Sequence, residues 1–268
     1  MLLNRNRRGP QFYTLAAITA VVMFYLLVPL LFLIVLSFNS SRWLAFPPPG
    51  WTTRWFEELF TNPSWLASIV NSVKVGFAVM LLSLLLGVPT SFALVRSKFP
   101  GMTALNAFFT SPLIVPVIII AVALYGLALT FGLAGTFIAF IVAHLIVALP
   151  FAIICISSSL MSFDESLEKA AMICGASKLG AIWRITLPSI RPGIVAGGLF
   201  AFLISWDEVV LAIFMATPAL QTLPVKIWVT LRADLSPVIA AASTLLIVAT
   251  VVIVLLTLVF RRPQAERQ

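Results

Sequence analysis

The sequence predicts an all-α, polytopic membrane protein with six transmembrane helices, and three observations predict it. Of 268 residues, 61% are hydrophobic and 10% are charged, whereas a soluble domain carries roughly a quarter charged residues. The apolar residues fall in runs of about 20, the length that takes a helix across a hydrocarbon core of about 30 Å. The basic residues cluster beside those runs, as positive charges do where they orient a membrane protein. The net charge of +8 therefore reports topology. No nucleic-acid-binding pattern accompanies it, so the expected contact is the lipid bilayer and not nucleic acid.

The first run, residues 15–36, follows Arg5, Arg7 and Arg8. A signal peptide has an apolar core of only about 7–15 residues and a small-residue cleavage site. This run is longer and passes into SFNSSRW, so it reads as a retained first helix. Spans are expected at about 13–37, 70–95, 103–130, 135–159, 192–216 and 238–260. No charged residue lies between Lys98 and Asp164; that block is too long for one helix, and FGLAG (residues 131–135) supplies the dividing turn. Pro89, Pro112, Pro116 and Pro150 fall within spans, where neighbouring helices can satisfy the carbonyls that proline leaves free.

With a cytoplasmic N-terminus, the inner segments hold Arg5, Arg7, Arg8, Arg96, Lys98, Lys169, Lys178, Arg184, Arg191, Arg261, Arg262 and Arg267, which is twelve. The outer segments hold Arg42, Arg54, Lys226 and Arg232, which is four, with Lys74 at a helix end. That asymmetry places both termini inside. In the first outer loop, FPPPGWTTRWFEELF predicts a proline stop and a short surface helix. Trp43, Trp51, Trp55 and Trp65 suit the membrane interface. The last outer loop, TPALQTLPVKIWVTLRADLSP, is amphipathic and is expected to dip toward the mouth of a pathway.

One stretch departs from its apolar surroundings: SLEKAAMICGASKLGAIWRITLPSIRPGI, residues 166–194. Leu167, Ala170, Ala171 and Cys174 fall at i, i+3, i+4 and i+7 and form one helical stripe. The alanines make it shallow, with Cys174 as a small packing residue. Gly175 and Gly180 allow close backbone approach, and Pro188 ends the segment. A membrane-lying helix carries bulky apolar residues on its buried face. This stripe does not, so a protein groove is the better partner.

KAAMICGASKLGAIWRITLP resembles the EAA loop of bacterial ABC importer permeases, which reads Glu-Ala-Ala, three residues, Gly, nine residues, then Ile-x-Leu-Pro. Ala170, Ala171, Gly175, Ile185, Leu187 and Pro188 match; Lys169 occupies the glutamate position, with Glu168 one place earlier. SFNSSRW, FPPPGWTTRWF, SPLIVPVIII, SWDEVVLAIF and QTLPVKIWVTLRADLSPVIAAASTLLI are similar to the second permease of spermidine/putrescine-type importers. The resemblance implies a type I importer permease (MetI-like) fold and a single permease domain over residues 1–268, with a cytoplasmic coupling loop at about 160–191. It implies a second permease, two ATPase subunits and a periplasmic substrate-binding protein as partners in a bacterial inner membrane. Glu168, Lys169, Ala170, Ala171, Gly175, Ala176, Leu187 and Pro188 are the expected coupling residues. They would seat in an ATPase groove and turn dimer closure into helix rocking.

Asp207 and Glu208 are the acids inside a predicted span, and charge at membrane depth usually faces a bundle interior or water. Counting about 1.5 Å per residue from Arg191 puts Asp207 roughly 24 Å toward the outer side. The pair either lines a pathway or snorkels outward, and adjacent helical positions lie about 100° apart. Trp206 beside them can stack on a cation or join an aromatic belt. A polyamine such as spermidine or putrescine fits the resemblance, although no acid stands near Leu113 or Val117, where some polyamine relatives have one. Another small amine, amino-acid-like or opine solute is the alternative. His144 is expected to make an interhelical hydrogen bond. A carrier using Asp207, Glu208 and His144 as a proton relay is a rival disfavoured by the lack of paired ionisable groups across several spans. A membrane-embedded enzyme would need catalytic groupings that the sequence lacks. No cofactor is expected in this chain: there is no metal spacing and no phosphate-binding Gly-x4-Gly-Lys-Ser/Thr loop, so ATP and Mg belong to the partner ATPases.

Overall fold

A computed structural model describes residues 9–233 and 235–260. Arg5, Arg7, Arg8, Arg261, Arg262 and Arg267, six of the twelve inner basic residues, lie outside the described residues. The described chain is helical with no strand, apart from isolated bridges at Asn39–Trp51 and Thr217–Leu220. In order the helices are α1 (Pro10–Ser37), α2 (Arg54–Thr61), α3 (Pro63–Arg96), α4 (Met102–Thr110), α5 (Val117–Thr130), α6 (Phe137–Met161), α7 (Glu165–Ile173), α8 (Lys178–Ala181), α9 (Leu187–Ser189), α10 (Arg191–Asp207), α11 (Val210–Met215), α12 (Leu223–Ala233) and α13 (Val238–Phe260).

Among the described residues, α1, α3, α6 and α13 are each long and apolar enough to cross a membrane, and the number rises to six if two bent pairs count as one span each. The expected third span is one of those pairs. A 3-10 turn at Ser111–Leu113 follows α4, and the segment Met102–Leu113 meets Val117–Thr130 at 98°. Pro116 stands at the break, as the residue before α5. Pro89 and Pro150 lie inside the unbroken helices α3 and α6. The expected fifth span is also interrupted, because α10 ends at Asp207 and α11 begins at Val210. The FGLAG turn has Gly132 and Gly135 at φ +66° and +75°, and Thr136 caps α6 by accepting from Ala139 N–H.

Two compact units make up the chain, Met1–Asn62 with Thr230–Ile247, and Pro63–Val229 with Val248–Gln268. In the first, α1 is apolar on every side and exposed from Gln11 to Phe32, as suits a helix whose solvent is lipid or a partner helix. After it, Asn39 ties the loop together: its Nδ2 donates to the carbonyls of Trp43 and Ala45, and its own carbonyl accepts from Trp55 Nε1 at 2.6 Å. Trp43 and Trp51 are exposed, as an interfacial role requires, but Trp55 is buried. The indole N–H finds its partner inside the loop instead of at a headgroup.

The second unit is built on α3, α6 and α10. In lipid no hydrophobic force drives helices together, so small residues that let backbones approach do the work. On α3 the buried positions are Ser68, Ser72, Val75, Gly76, Val79, Ser83, Gly87 and Ser91, with Trp65 at the start. Trp65 is thus a second departure from the interfacial expectation. A Cβ at Gly76 would meet Phe202 at 2.9 Å. On α10, Gly193 and Gly197 stand one helical turn apart facing α6, where a Cβ at Gly197 would lie 3.1 Å from the Ala152 carbonyl. Serines add polar ties: Ser91 Oγ donates to the Ile153 carbonyl, and Ser72 Oγ accepts from Leu223 N–H at 2.7 Å.

Candidate functional site

The polar insert folds as four short pieces. Asp164 precedes α7 and accepts from the backbone N–H and hydroxyl of Ser166, which hold its carboxyl below its ordinary range. At the other end of α7, Gly175 takes φ +94°. Its N–H donates to the Met172 carbonyl while Ala176 N–H donates to the Ala171 carbonyl. That reciprocal pair is a Schellman turn, which needs a left-handed residue at this position. No atom lies within 4 Å of a Cβ built on Gly175, so within this chain the glycine answers to backbone conformation and not to crowding. Ser177 caps α8, a π turn at Ile182–Thr186 follows, and α9 contains Pro188. The proline does not end the segment as expected. It sits in α9, which continues the helical backbone of the π turn, and the break comes at Ile190, with a 68° bend between Lys178–Ser189 and α10.

The stripe read from spacing is the uncovered side of α7. Leu167, Ala170 and Cys174 are exposed and Ala171 is half-buried, so Cys174 packs against nothing in this chain's core. Ile173 is 86% exposed, and Leu179 and Trp183 are 65% exposed. Lys169 and Pro188 are exposed, and Ala176 and Leu187 are half-buried. Of the eight expected coupling residues, Leu187 packs partly against the core cluster of Ile156, Leu160 and Ile190 and Glu168 is the one that is buried. It is 6% exposed, and its Oε2 accepts from Arg96 Nη1 at 2.6 Å and from the Thr186 hydroxyl at 2.8 Å. Burial works against its charge, but the hydrogen bonds of Thr186 and Arg96, with the charges of Arg96 and Lys178, outweigh it and hold the carboxyl below its ordinary range. Arg96 is itself placed by Phe92 and Phe163, whose ring centres lie 5.0 and 5.9 Å from the guanidinium carbon. A cavity of about 250 Å³ beside the pair is lined by Arg96, Glu165, Glu168, Lys169, Met172 and Lys178.

At the end of α10 the two acids do not share a helix. Glu208 adopts extended backbone (φ −74°, ψ 114°), and its carboxylate accepts from Leu211 N–H at 2.9 Å, capping α11. The expected 100° relation between Asp207 and Glu208 is therefore replaced by a helix end and a cap. Asp207 is exposed and Glu208 half-buried. Trp206 is buried, with one ring face stacked on Phe202 at 5.8 Å and 19°. His144 is fully buried and joins α6 to α10 through Nδ1 and Ser205 Oγ at 2.9 Å. That is the interhelical hydrogen bond its position suggests.

Sequence reasoning missed Arg96 and Thr186 as partners of Glu168, since 72 and 18 residues separate them from it. It also passed over Gly193 and Gly197, whose four-residue spacing is a readable packing signal.

Residues 80–264 match the family described as the binding-protein-dependent transport system inner membrane component. The chain is 31% identical over 231 residues to the spermidine/putrescine transport system permease protein PotC of Haemophilus influenzae, covering 86% of this chain and 90% of that one. It is 33% identical over 224 residues to the putrescine transport system permease protein PotI of Escherichia coli strain K12, covering 81% and 79%. Among solved structures, a bacterial ABC transporter involved in the import of alginate, an acidic polysaccharide, has a chain of the same fold. The TM-score is 0.71 over 96% of this chain and 99% of that one, at 15% identity.

Proposed function

We propose that this chain, which belongs to the family of binding-protein-dependent transport system inner membrane components, docks an ATPase through α7–α9 and lines a cationic solute's path with the end of α10. The chain is a multi-pass inner-membrane permease subunit of an importer, a transport component and not an enzyme. In the proposal, residues 1–268 act as one permease domain beside a second, different permease subunit. Two ATPase subunits supply the ATP and Mg chemistry, and a periplasmic binding protein delivers the solute. The observation that carries the docking assignment is the face left uncovered on an otherwise capped and internally bonded loop: Leu167, Ala170, Ile173 and Leu179, rimmed by Lys169 and Lys178.

The proposal places both termini and residues 166–191 on the cytoplasmic side. A cysteine at Ser177, which is exposed, in a background lacking Cys155 and Cys174, is expected to resist membrane-impermeant thiol reagents in whole cells. Labelling from outside would invert the topology.

A polyamine is the proposed solute, supported by the names of the relatives and by carboxylates at Asp207 and Glu208. An amine held near them gains Coulomb energy, and an anion is repelled. Asp207→Asn with Glu208→Gln removes both charges. The glutamine carbonyl can still accept from Leu211 N–H, so the cap on α11 survives. Spermidine uptake into membrane vesicles is expected to fall at least about fivefold, with the ATPase subunits still co-purifying. Unchanged uptake would reduce the pair to structural residues, and faster uptake would point to an anionic solute.

A further inference from the structure

Among the described residues, Glu168 is the one buried carboxylate. A buried charge is costly unless it is paired and hydrogen-bonded, and here one oxygen carries both bonds. Those bonds reach three separate segments. Arg96 is the last residue of α3, Glu168 lies in the first turn of α7, and Thr186 closes the π turn that leads through α9 into α10. Apart from this junction, α7 is joined to the rest by the turn at Ser162–Phe163 before it and by the left-handed Gly175 turn after it. Both are single-strand connections, each held by the hydrogen bonds of its own turn, Ser162 N–H to the Ser158 carbonyl on one side and Gly175 N–H to the Met172 carbonyl on the other.

We infer that the Arg96–Glu168–Thr186 junction is the joint through which a force applied to α7 reaches α3. This rests on the docking reading given above and changes the role of one residue within it: Glu168 is a positioning residue inside the permease and makes no contact with the ATPase. The directions of the side chains separate the two tasks. The docking face is turned outward, Ile173 being 86% exposed, and the joint is turned inward, Glu168 being 6% exposed. The joint is stiff for three physical reasons. Charge-assisted bonds at 2.6 and 2.8 Å are short and directional. The guanidinium is held against Phe92 and Phe163 and cannot swing. The helix it ends, α3, is locked to α6 and α10 along its seam of small residues. A push on α7 therefore moves α3 and α10 together with the loop, whereas without the joint it would reach the spans only through those two turns.

The test uses the complete transporter in proteoliposomes, with its binding protein loaded with spermidine, and reads solute imported per ATP hydrolysed alongside ATPase retention on purification. Glu168→Gln is expected to keep the ATPase subunits bound while import per ATP falls about tenfold, within the usual range of coupling free energies. The exchange Arg96→Glu with Glu168→Arg restores the ion pair with its polarity reversed and is expected to recover most of the loss. A misfolded permease would lose both readouts together and would not be rescued. Should Glu168→Gln fail to accumulate in the membrane, Thr186→Val keeps the ion pair and removes one bond; it is expected to lower import per ATP about threefold. Two results overturn the joint: Glu168→Gln releasing the ATPase, which would make Glu168 a docking contact, or either variant importing with the wild-type ratio. A wild-type complex that retains no ATPase would instead bring down the docking reading beneath it.

Discussion

Replacing Gly193 with valine is expected to lower the melting temperature of the detergent-solubilised permease by about 10 °C. A Cβ at Gly193 would overlap the side chain of Ser159 and stand 3.0 Å from the Cys155 carbonyl. The serine side chain has some freedom, but the carbonyl belongs to the backbone of α6, so the helices themselves must separate. Overpacking of this kind costs about 1–3 kcal/mol and at times more, and a β-branched residue takes the upper end. One helical turn along, Gly197 faces the Ala152 carbonyl under the same constraint, so relief at one glycine is opposed at the other. Gly126→Ala is the control. Gly126 lies in α5 with nothing within 4 Å of its would-be Cβ, and alanine is the better helix former by about 1 kcal/mol, so that variant should hold or raise the melting temperature. Equal melting of Gly193→Val and wild type would show that α6 and α10 do not pack through this glycine pair.

Gly175→Leu is the second change with a large expected effect, a loss of about tenfold in import per ATP. A leucine at φ +94° is strained by about 1–2 kcal/mol whatever the space around it. The turn relaxes by giving up the Gly175–Met172 and Ala176–Ala171 bonds, which lets α8 swing relative to α7. Gly175→Asn separates conformation from crowding, because asparagine tolerates the left-handed region far better than leucine. Recovery of at least half the wild-type ratio with asparagine is expected. If asparagine is as poor as leucine, the glycine is needed because the ATPase backbone comes close to it.

Prolines show where local reading ends. Pro89, Pro116 and Pro150 all sit in apolar runs and look alike in the sequence, yet α3 and α6 pass through theirs and the third span turns by 98° at Pro116. Proline removes the same N–H in each case; whether the helix continues depends on what neighbouring helices supply. The same limit applies to Asp207 and Glu208. Their spacing implied one helix, but a carboxylate beside a helix start can leave the regular backbone to satisfy an orphan N–H, and Glu208 does so for α11.

The class of protein, the existence of the long apolar helices, the place of the polar loop and most of the stripe it leaves uncovered are legible in the order of the residues. Each of these follows from short-range rules. A backbone in lipid must satisfy its hydrogen bonds within its own segment, so a run of about 20 apolar residues has one outcome. A 3.6-residue period sets which side chains share a face. Long-range packing set which acid of the loop is buried, because Glu168 takes its direction from Arg96, 72 residues away, and from Thr186. It likewise decided that Trp55 and Trp65 are buried and that the fifth span stops at Asp207. The buried Glu168 charge and the Trp55 indole go where a partner completes their bonding, and a partner distant in the chain leaves no mark on local spacing.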